Sequence, residues 1–206
     1  MFVAFLAIFF NASNNNALFI VLKPLTTILI ILFTVFFGIR KNKFYKWVVI
    51  ALIFCLAGDT LLLKEAYFIW GLLAFLMAHL CFSFSFMSLG GFKFYLIPLI
   101  LLIVFGIGYY WILYDGLQAL KIPVLTYFIV ILFMGWQGIS LRIWKNEAAL
   151  TLVAFAVLFF ITSDALLAWA KFKEPFRWDG VLILATYWIS IFSIGLSTTI
   201  ERKKSY

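Results

Sequence analysis

The sequence predicts an all-α protein: a polytopic transmembrane bundle of about eight helices that forms a single domain over residues 1–206. Hydrophobic residues make up 67% of the chain and charged residues 12%, whereas soluble domains are about half apolar and about a quarter charged. A length of 206 residues accommodates seven or eight spans of about 20 residues each. No room is left for a soluble domain.

Apolar runs separated by polar, glycine, proline or charged residues locate the individual spans. The first run, near residues 2–12, is too short to cross unless it is extended or tilted, so we expect a short span or half-span. The other spans are predicted near residues 17–38, 46–63, 66–88, 94–114, 121–140, 148–171 and 180–200.

The net charge of +8 arises from short basic clusters between the apolar runs, as expected from positive-inside topology rather than from nucleic-acid binding. With eight spans, the side that holds both termini also carries Arg40, Lys41, Lys43, Lys46, Lys93, Arg142, Lys145, Arg202, Lys203 and Lys204. The opposite side carries Lys64, Lys121, Lys171, Lys173 and Arg177. We therefore predict cytoplasmic termini, in what we expect to be a bacterial inner membrane.

Polar side chains from five spans are predicted to lie in the non-cytoplasmic half of the bundle. At about 1.5 Å of rise per residue, Lys23 and Asp59 lie roughly 9 Å below that surface and Asp164 about 10 Å below it. Tyr187 is at a comparable depth, and His79 lies near the middle of its span. Cys55 and Cys81 also fall within spans, where we interpret them as small core residues without a disulfide or metal role.

The two intramembrane acids are the strongest functional candidates. Inserting a carboxylate near the bilayer centre costs roughly 2.5 to 3.5 kcal/mol of free energy. Because Asp59 and Asp164 lie at matching depth, we expect them to share a polar cavity. Paired carboxyls suit general acid–base catalysis, because one can stay protonated while the other is ionised. The alternative is that each is an interhelical hydrogen-bonding residue or a salt-bridge partner of Lys23.

Two further candidates have competing explanations. Lys23 either snorkels to the surface or acts as a cation for a lipid phosphate or for one of the acids. It precedes Pro24, and Thr26 and Thr27 can satisfy carbonyls that the proline frees. His79, the single histidine, is either a hydrogen-bonded core residue or a proton relay, and alone it cannot build a typical zinc site.

A weak internal similarity suggests a parallel four-plus-four repeat. The segment KPLTTILI of the second span resembles KIPVLTYF of the sixth, and GDTLLL of the third resembles SDALLA of the seventh. The matched spans are four apart and run in the same direction, as parallel repeats do.

These motifs together resemble the YhhN-like lysoplasmalogenase family of multi-spanning membrane proteins. The resemblance runs from about residue 17 to 200 and is carried, in order, by Lys23–Pro24, Gly58–Asp59, a helix with Gly71, Phe75 and His79, Ser163–Asp164, and Tyr187–Trp188. Family members often have Gln or His where this chain has Ile191, and Ser190 or Ser193 could compensate.

The resemblance implies hydrolysis of the vinyl ether bond of lysoplasmalogens, or of another lyso-ether lipid, to a fatty aldehyde and a glycerophospho-base. It implies Asp59 and Asp164 as the catalytic pair, with His79, Ser163 and Tyr187 orienting water or headgroup and Lys23 countering the phosphate. No cofactor or metal is expected, the partners are a lysophospholipid substrate and membrane lipids, and no oligomeric state is predicted. The alternatives are a proton-coupled transporter of small molecules or lipids that uses the same acids, or a structural membrane component.

Overall fold

Eight α-helices make up the protein in the computed structural model, which describes residues 2–12, 16–40 and 42–200. The helices are α1 (Phe2–Ala12), α2 (Asn16–Phe37), α3 (Lys43–Leu61), α4 (Phe68–Gly90), α5 (Leu96–Leu113), α6 (Lys121–Trp144), α7 (Ala148–Phe172) and α8 (Asp179–Ser197). Short 3₁₀ turns precede α4 and α6. The described ranges contain no β-strand, which confirms the predicted all-α class.

Seven of these helices, α2 to α8, are long and apolar enough to cross a membrane, and the chain is an integral membrane protein. Helix α1 has 11 residues, which corresponds to roughly 16 Å of rise, about half of a typical hydrocarbon core. It packs on α2 and α8, so its length fits the expected half-span. The side of the membrane on which the termini lie stays a prediction.

Consecutive helices pack on one another within each predicted half. In the first half α1 packs on α2, α2 on α3, and α3 on α4; in the second half α5 packs on α6, α6 on α7, and α7 on α8. The halves meet through α4 with α6 and through α8, which contacts α1, α2 and α3. The pairs α2 with α8 and α4 with α6 are the ones that a parallel repeat would relate, and the repeat itself stays a prediction. The helices α2, α4, α6 and α8 begin at the same end of the bundle, which we call the Lys121 end.

The helix pair α3 and α4 approaches closely at a glycine beside the first acid. A Cβ atom built on Gly58 would lie 2.5 Å from the ring of Phe75, so only glycine lets that ring pack directly on the α3 backbone. The Phe75 ring then meets Tyr187 edge-on, with ring centres 5.6 Å apart. This contact brings α8 to the end of α3, next to Asp59.

Helix α5 lies at the periphery of the bundle. It packs mainly on α6, with a smaller contact to α7, and four of its large aliphatic side chains are more than 60% exposed: Ile97, Leu101, Val104 and Ile107. In a bilayer these side chains face lipid, which makes α5 the helix most open to molecules dissolved in the membrane.

Candidate active site

Asp59 is the centre of a buried polar group contributed by three helices. The carboxyl is 1% exposed although it lies only two residues before the end of α3, nearer the helix end than the predicted 9 Å depth. Its Oδ2 accepts hydrogen bonds from the hydroxyls of Thr27, at 2.5 Å, and Tyr187, at 2.8 Å. Thr27 therefore binds the acid rather than a backbone carbonyl freed by Pro24.

Lys23 faces into the bundle toward Asp59. Its Nζ lies 3.9 Å from Asp59 Oδ1, and its side chain is only 11% exposed. Of the two explanations open from the sequence, this geometry favours a cation that compensates a carboxylate over one that extends to the membrane surface. A buried ion pair of this kind is compensated as long as both charges are present.

Asp164 forms a second centre with side chains from α6 and α4. The hydroxyl of Tyr127 donates a hydrogen bond of 2.5 Å to Asp164 Oδ2, and His79 Nε2 lies 3.6 Å from the same oxygen, just beyond hydrogen-bond range. The Asp164 side chain is 12% exposed, against 1% for Asp59. No lysine or arginine pairs with Asp164 in the described part of the chain.

His79 is fully buried, and neither of its ring nitrogens has a hydrogen-bond partner among the described residues. Its ring packs edge-on against Tyr127 and Phe160, with centres 5.2 and 4.6 Å apart. Buried polar groups are normally satisfied, and an orphaned one requires an explanation. The Nε2 nitrogen faces the Asp164 carboxyl without bonding to it.

The two acid centres are neighbours but do not share hydrogen-bond partners. The ring of Phe160 contacts one residue of each centre: its ring centre lies 4.6 Å from that of His79 and 5.7 Å from that of Tyr187. Cys55, one turn before Asp59 on α3, is also buried. The two carboxyls thus have separate hydrogen-bond partners, and one aromatic ring links their two groups.

The donors around the two acids repeat the four-plus-four plan. Each acid receives a hydroxyl hydrogen bond from the second helix of its own half: Asp59 from Thr27 on α2, and Asp164 from Tyr127 on α6. Each also meets a ring from the last helix of the other half, Tyr187 on α8 or His79 on α4. The halves therefore complete each other's acid centre.

Ser163 does not contact either acid group in this structure. Its hydroxyl donates to the backbone oxygen of Ile183, at 3.0 Å, which joins α7 to α8. Similarly, Ile191 is a fully buried apolar core residue, and no hydrogen bond joins Ser190 or Ser193 to a carboxyl within the described residues.

We predict that Ser163→Ala lowers the free energy of unfolding by about 0.6 kcal/mol, typical of an interhelical hydrogen bond in a membrane protein, and leaves turnover unchanged. The thermal midpoint in detergent and the initial rate measure the two effects. If the rate falls more than about tenfold (about 1.4 kcal/mol) while the thermal midpoint is unchanged, Ser163 orients the substrate, as the resemblance implies.

Tyr127, Thr27 and Cys55 were not assigned to the site from the sequence. Tyr127 lies six residues into α6, about 9 Å from the Lys121 end, so the depth argument that selected the acids also applies to it. Cys55 precedes Asp59 by four residues, which places both on one face of α3.

Both cysteines, Cys55 and Cys81, are free and buried. No cluster of three His, Cys, Asp or Glu side chains able to hold a metal ion occurs in residues 2–12, 16–40 and 42–200.

Asp164 also lines two small cavities between helices. One is bounded by α4, α6 and α7, and includes Phe68 and Phe172 in its wall. The other is bounded by α5, α6 and α7, and includes Gly106, Phe128 and Leu132. Asp59 lines neither of them.

Comparison with known proteins defines the class of this integral membrane bundle. A model of the YhhN family matches residues 18–198, which is nearly the whole helical region. The chain therefore belongs to the YhhN family, and the resemblance drawn from its motifs is confirmed.

Curated relatives of the chain carry the name lysoplasmalogenase. Human lysoplasmalogenase TMEM86B is 32% identical over 151 residues, which cover 71% of this chain and 61% of the relative. Bovine and human lysoplasmalogenase TMEM86A are 29% and 30% identical, in each case over 75% of this chain and 65% of the relative. The chain thus matches somewhat less than two thirds of these relatives' length. No solved structure matches it significantly.

Proposed function

We propose that the protein is a membrane hydrolase that cleaves the vinyl ether bond of lysoplasmalogen-type lysolipids, releasing a fatty aldehyde and a glycerophospho-base. The observation that carries this proposal is the position of Asp164, a carboxyl in the wall of two small cavities beside a histidine whose nitrogens are unpartnered among the described residues. The names of the curated relatives support the same activity.

Asp164 is assigned as the proton donor. A vinyl ether hydrolyses after protonation of its β-carbon, and the acid must be neutral to donate that proton. Asp164 lacks a cationic partner among the described residues and accepts one short hydrogen bond, from Tyr127, whereas Asp59 has Lys23 and two hydroxyl donors. Burial favours the neutral form of an unpaired carboxyl, and a cation favours the ionised form of a paired one.

The reaction then needs one water molecule and returns the proton. Transfer from Asp164 to the β-carbon gives an oxocarbenium ion, and water adds to the carbon that bears the ether oxygen while the Asp164 carboxylate accepts a proton. His79 orients this water through a ring nitrogen. The hemiacetal then breaks its bond to the glycerol oxygen, which takes a proton as the hemiacetal hydroxyl loses one, so the products are an aldehyde and an alcohol.

Asp59 is assigned a supporting part in the acid pair. With Lys23 it forms a buried ion pair that holds the Tyr187 hydroxyl, and the Tyr187 ring packs on Phe160, which packs on His79. Through this series of contacts Asp59 positions the histidine beside Asp164. Lys23 compensates Asp59 in this assignment and does not bind the lipid phosphate.

Tyr127→Phe removes a hydrogen bond to a carboxyl that cycles between charge states, so we predict a kcat lower by about tenfold with an unchanged KM. The thermal midpoint should barely move, because the ring and its packing on His79 are retained. Steady-state kinetics in detergent test this, with Tyr67→Phe, an exposed tyrosine, as the matched control. Equal rates for both variants would contradict the assignment of Asp164.

The proposed function is tested by supplying purified protein in vesicles with a lysoplasmalogen and, separately, with the saturated alkyl ether of the same chain and headgroup. Aldehyde should form from the vinyl ether alone, since only a vinyl carbon can be protonated to an oxocarbenium ion. A parallel four-plus-four repeat with acids where its halves meet is also typical of transporters. Proton-dependent uptake into vesicles without any aldehyde would replace the hydrolase with that second candidate.

A further inference from the structure

An apolar groove runs along the lipid-facing side of the bundle between α5 and α6. It encloses about 440 Å³. Its α5 wall extends from Leu99 to Trp111, which is roughly 18 Å along the helix axis, and its α6 wall includes Leu125 and Ile129. A slot of this length and composition fits an extended hydrocarbon chain.

The inner wall of the groove borders the small cavity that contains Asp164. Gly106, Phe128 and Leu132 line both spaces. A Cβ atom on Gly106 would collide with the end of the Leu132 side chain, so that side chain fills the space beside this glycine where the groove borders the cavity.

A cation lies at the end of the groove nearest the membrane surface. Lys121 begins α6, and its Nζ lies 3.8 Å from the centre of the Tyr114 ring. Tyr110, which lines the groove, donates a hydrogen bond of 3.1 Å to the backbone oxygen of Lys121. Asp164 lies eight residues before the end of α7, about 12 Å below the same surface. The groove begins at Trp111, two residues before the end of α5, so it starts near the cation and continues past the depth of the acid.

We propose that this groove binds the hydrocarbon chain of a single-chain ether phospholipid, with its phosphate at Lys121 and its first chain carbons at Asp164 beside Gly106. We expect the groove to select against a diacyl lipid, because it is a single slot of about 440 Å³ between two helices. The inference rests on the proposed hydrolysis for its choice of substrate. It adds the route by which the lipid enters, its orientation, and the basis of selection for one chain.

Binding is tested with a photoreactive lipid on the Asp164→Asn protein. The probe is a lyso-alkyl-ether phospholipid with a diazirine at the chain end; it contains no vinyl bond and is not consumed. Labelled peptides should come from α5 and α6, and excess unlabelled lyso-ether lipid should displace the probe whereas a diacyl phospholipid of the same headgroup should not. Because Asp164→Asn makes no product, this result is independent of whether aldehyde is ever released.

Two tryptophan variants on α5 provide a matched pair. Ile107 lines the groove and is 67% exposed, while Val104 is 66% exposed and lies outside the groove wall. Ile107→Trp should reduce labelling and lower kcat/KM about tenfold. This is the effect expected when roughly two methylene groups of the lipid chain are no longer buried. The loss should be largest for the longest chains. Val104→Trp should match the unsubstituted protein in both measurements.

Three outcomes would overturn the inference: labelling displaced equally by diacyl lipid, labelling confined to other helices, or equal behaviour of Ile107→Trp and Val104→Trp.

Lys121→Gln should weaken probe binding by about fivefold, as expected for loss of one exposed charge contact of about 1 kcal/mol. Unchanged binding would show that Lys121 does not bind the phosphate. If the groove does not bind the probe but aldehyde is still released, the groove assignment fails and the proposed function stands.

Discussion

Asp164→Asn is expected to lower the rate of aldehyde release by at least about 100-fold, since a positioned general acid contributes 10²- to 10⁴-fold. An asparagine is nearly isosteric with aspartate, and its side-chain oxygen can still accept the hydrogen bond from Tyr127. It cannot, however, transfer a proton to carbon. We therefore expect a protein with a near-normal thermal midpoint and little turnover, measured with purified protein in detergent and in vesicles.

The control for this prediction is the same substitution at an exposed acid. Asp115 lies in the connection between α5 and α6 and is exposed, so Asp115→Asn should retain full activity. If Asp164→Asn keeps more than about a tenth of the activity at saturating substrate, corresponding to a loss under about 1.4 kcal/mol, Asp164 is not the proton donor. The residual activity would then have to come from another acid.

Asp59→Asn is expected to have the largest effect on stability. Removing the carboxylate leaves Lys23 as a buried charge without its counter-ion, and breaking a buried pair in this way costs about 3 to 5 kcal/mol. We expect a lower unfolding free energy, measured by steric trapping or thermal denaturation in detergent. The rate should also fall, because Tyr187 then donates to a neutral amide oxygen instead of a carboxylate, and this weaker hydrogen bond fixes Phe160 against His79 less firmly.

The double variant Lys23→Met with Asp59→Asn separates these two effects. Replacing the lysine removes the uncompensated charge, so the double variant should regain most of the lost stability, with a coupling energy of about 1 to 3 kcal/mol. Its kcat should remain about tenfold below that of the unsubstituted protein, because loss of one hydrogen bond to a charged acceptor is worth about 1.5 kcal/mol. A stable, fully active Asp59→Asn single variant would contradict the supporting part assigned to Asp59.

Much of the helical layout was predictable, because apolar runs of span length admit only helices in a membrane. The largest boundary error lies in α6, which continues to Trp144 where the span was predicted to stop near residue 140. The buried residues Ser140 and Leu141 extend its packed face, and polarity alone did not reveal this. The short motifs also suggested a parallel repeat, which stays a prediction.

The candidate site was only partly predictable. Intramembrane charge singled out Lys23, Asp59 and Asp164, because an ionisable group in lipid needs a specific reason to be there. Tyr127 was missed because an uncharged tyrosine among apolar residues has no comparable cost. The contacts of Phe160 with His79 and Tyr187 depend on how side chains of different helices interlock, as do the cavities beside Asp164, and neither follows from depth or spacing.

The most direct test of carbon protonation by an intramembrane acid is product analysis after turnover of a lysoplasmalogen in D₂O. The aldehyde, trapped as it forms, should carry one deuterium on the carbon next to its carbonyl, at a rate that Asp164→Asn lowers at least about 100-fold. Aldehyde without deuterium at that carbon, or the same deuterated product formed at an unchanged rate by Asp164→Asn, would contradict the mechanism proposed for this membrane protein.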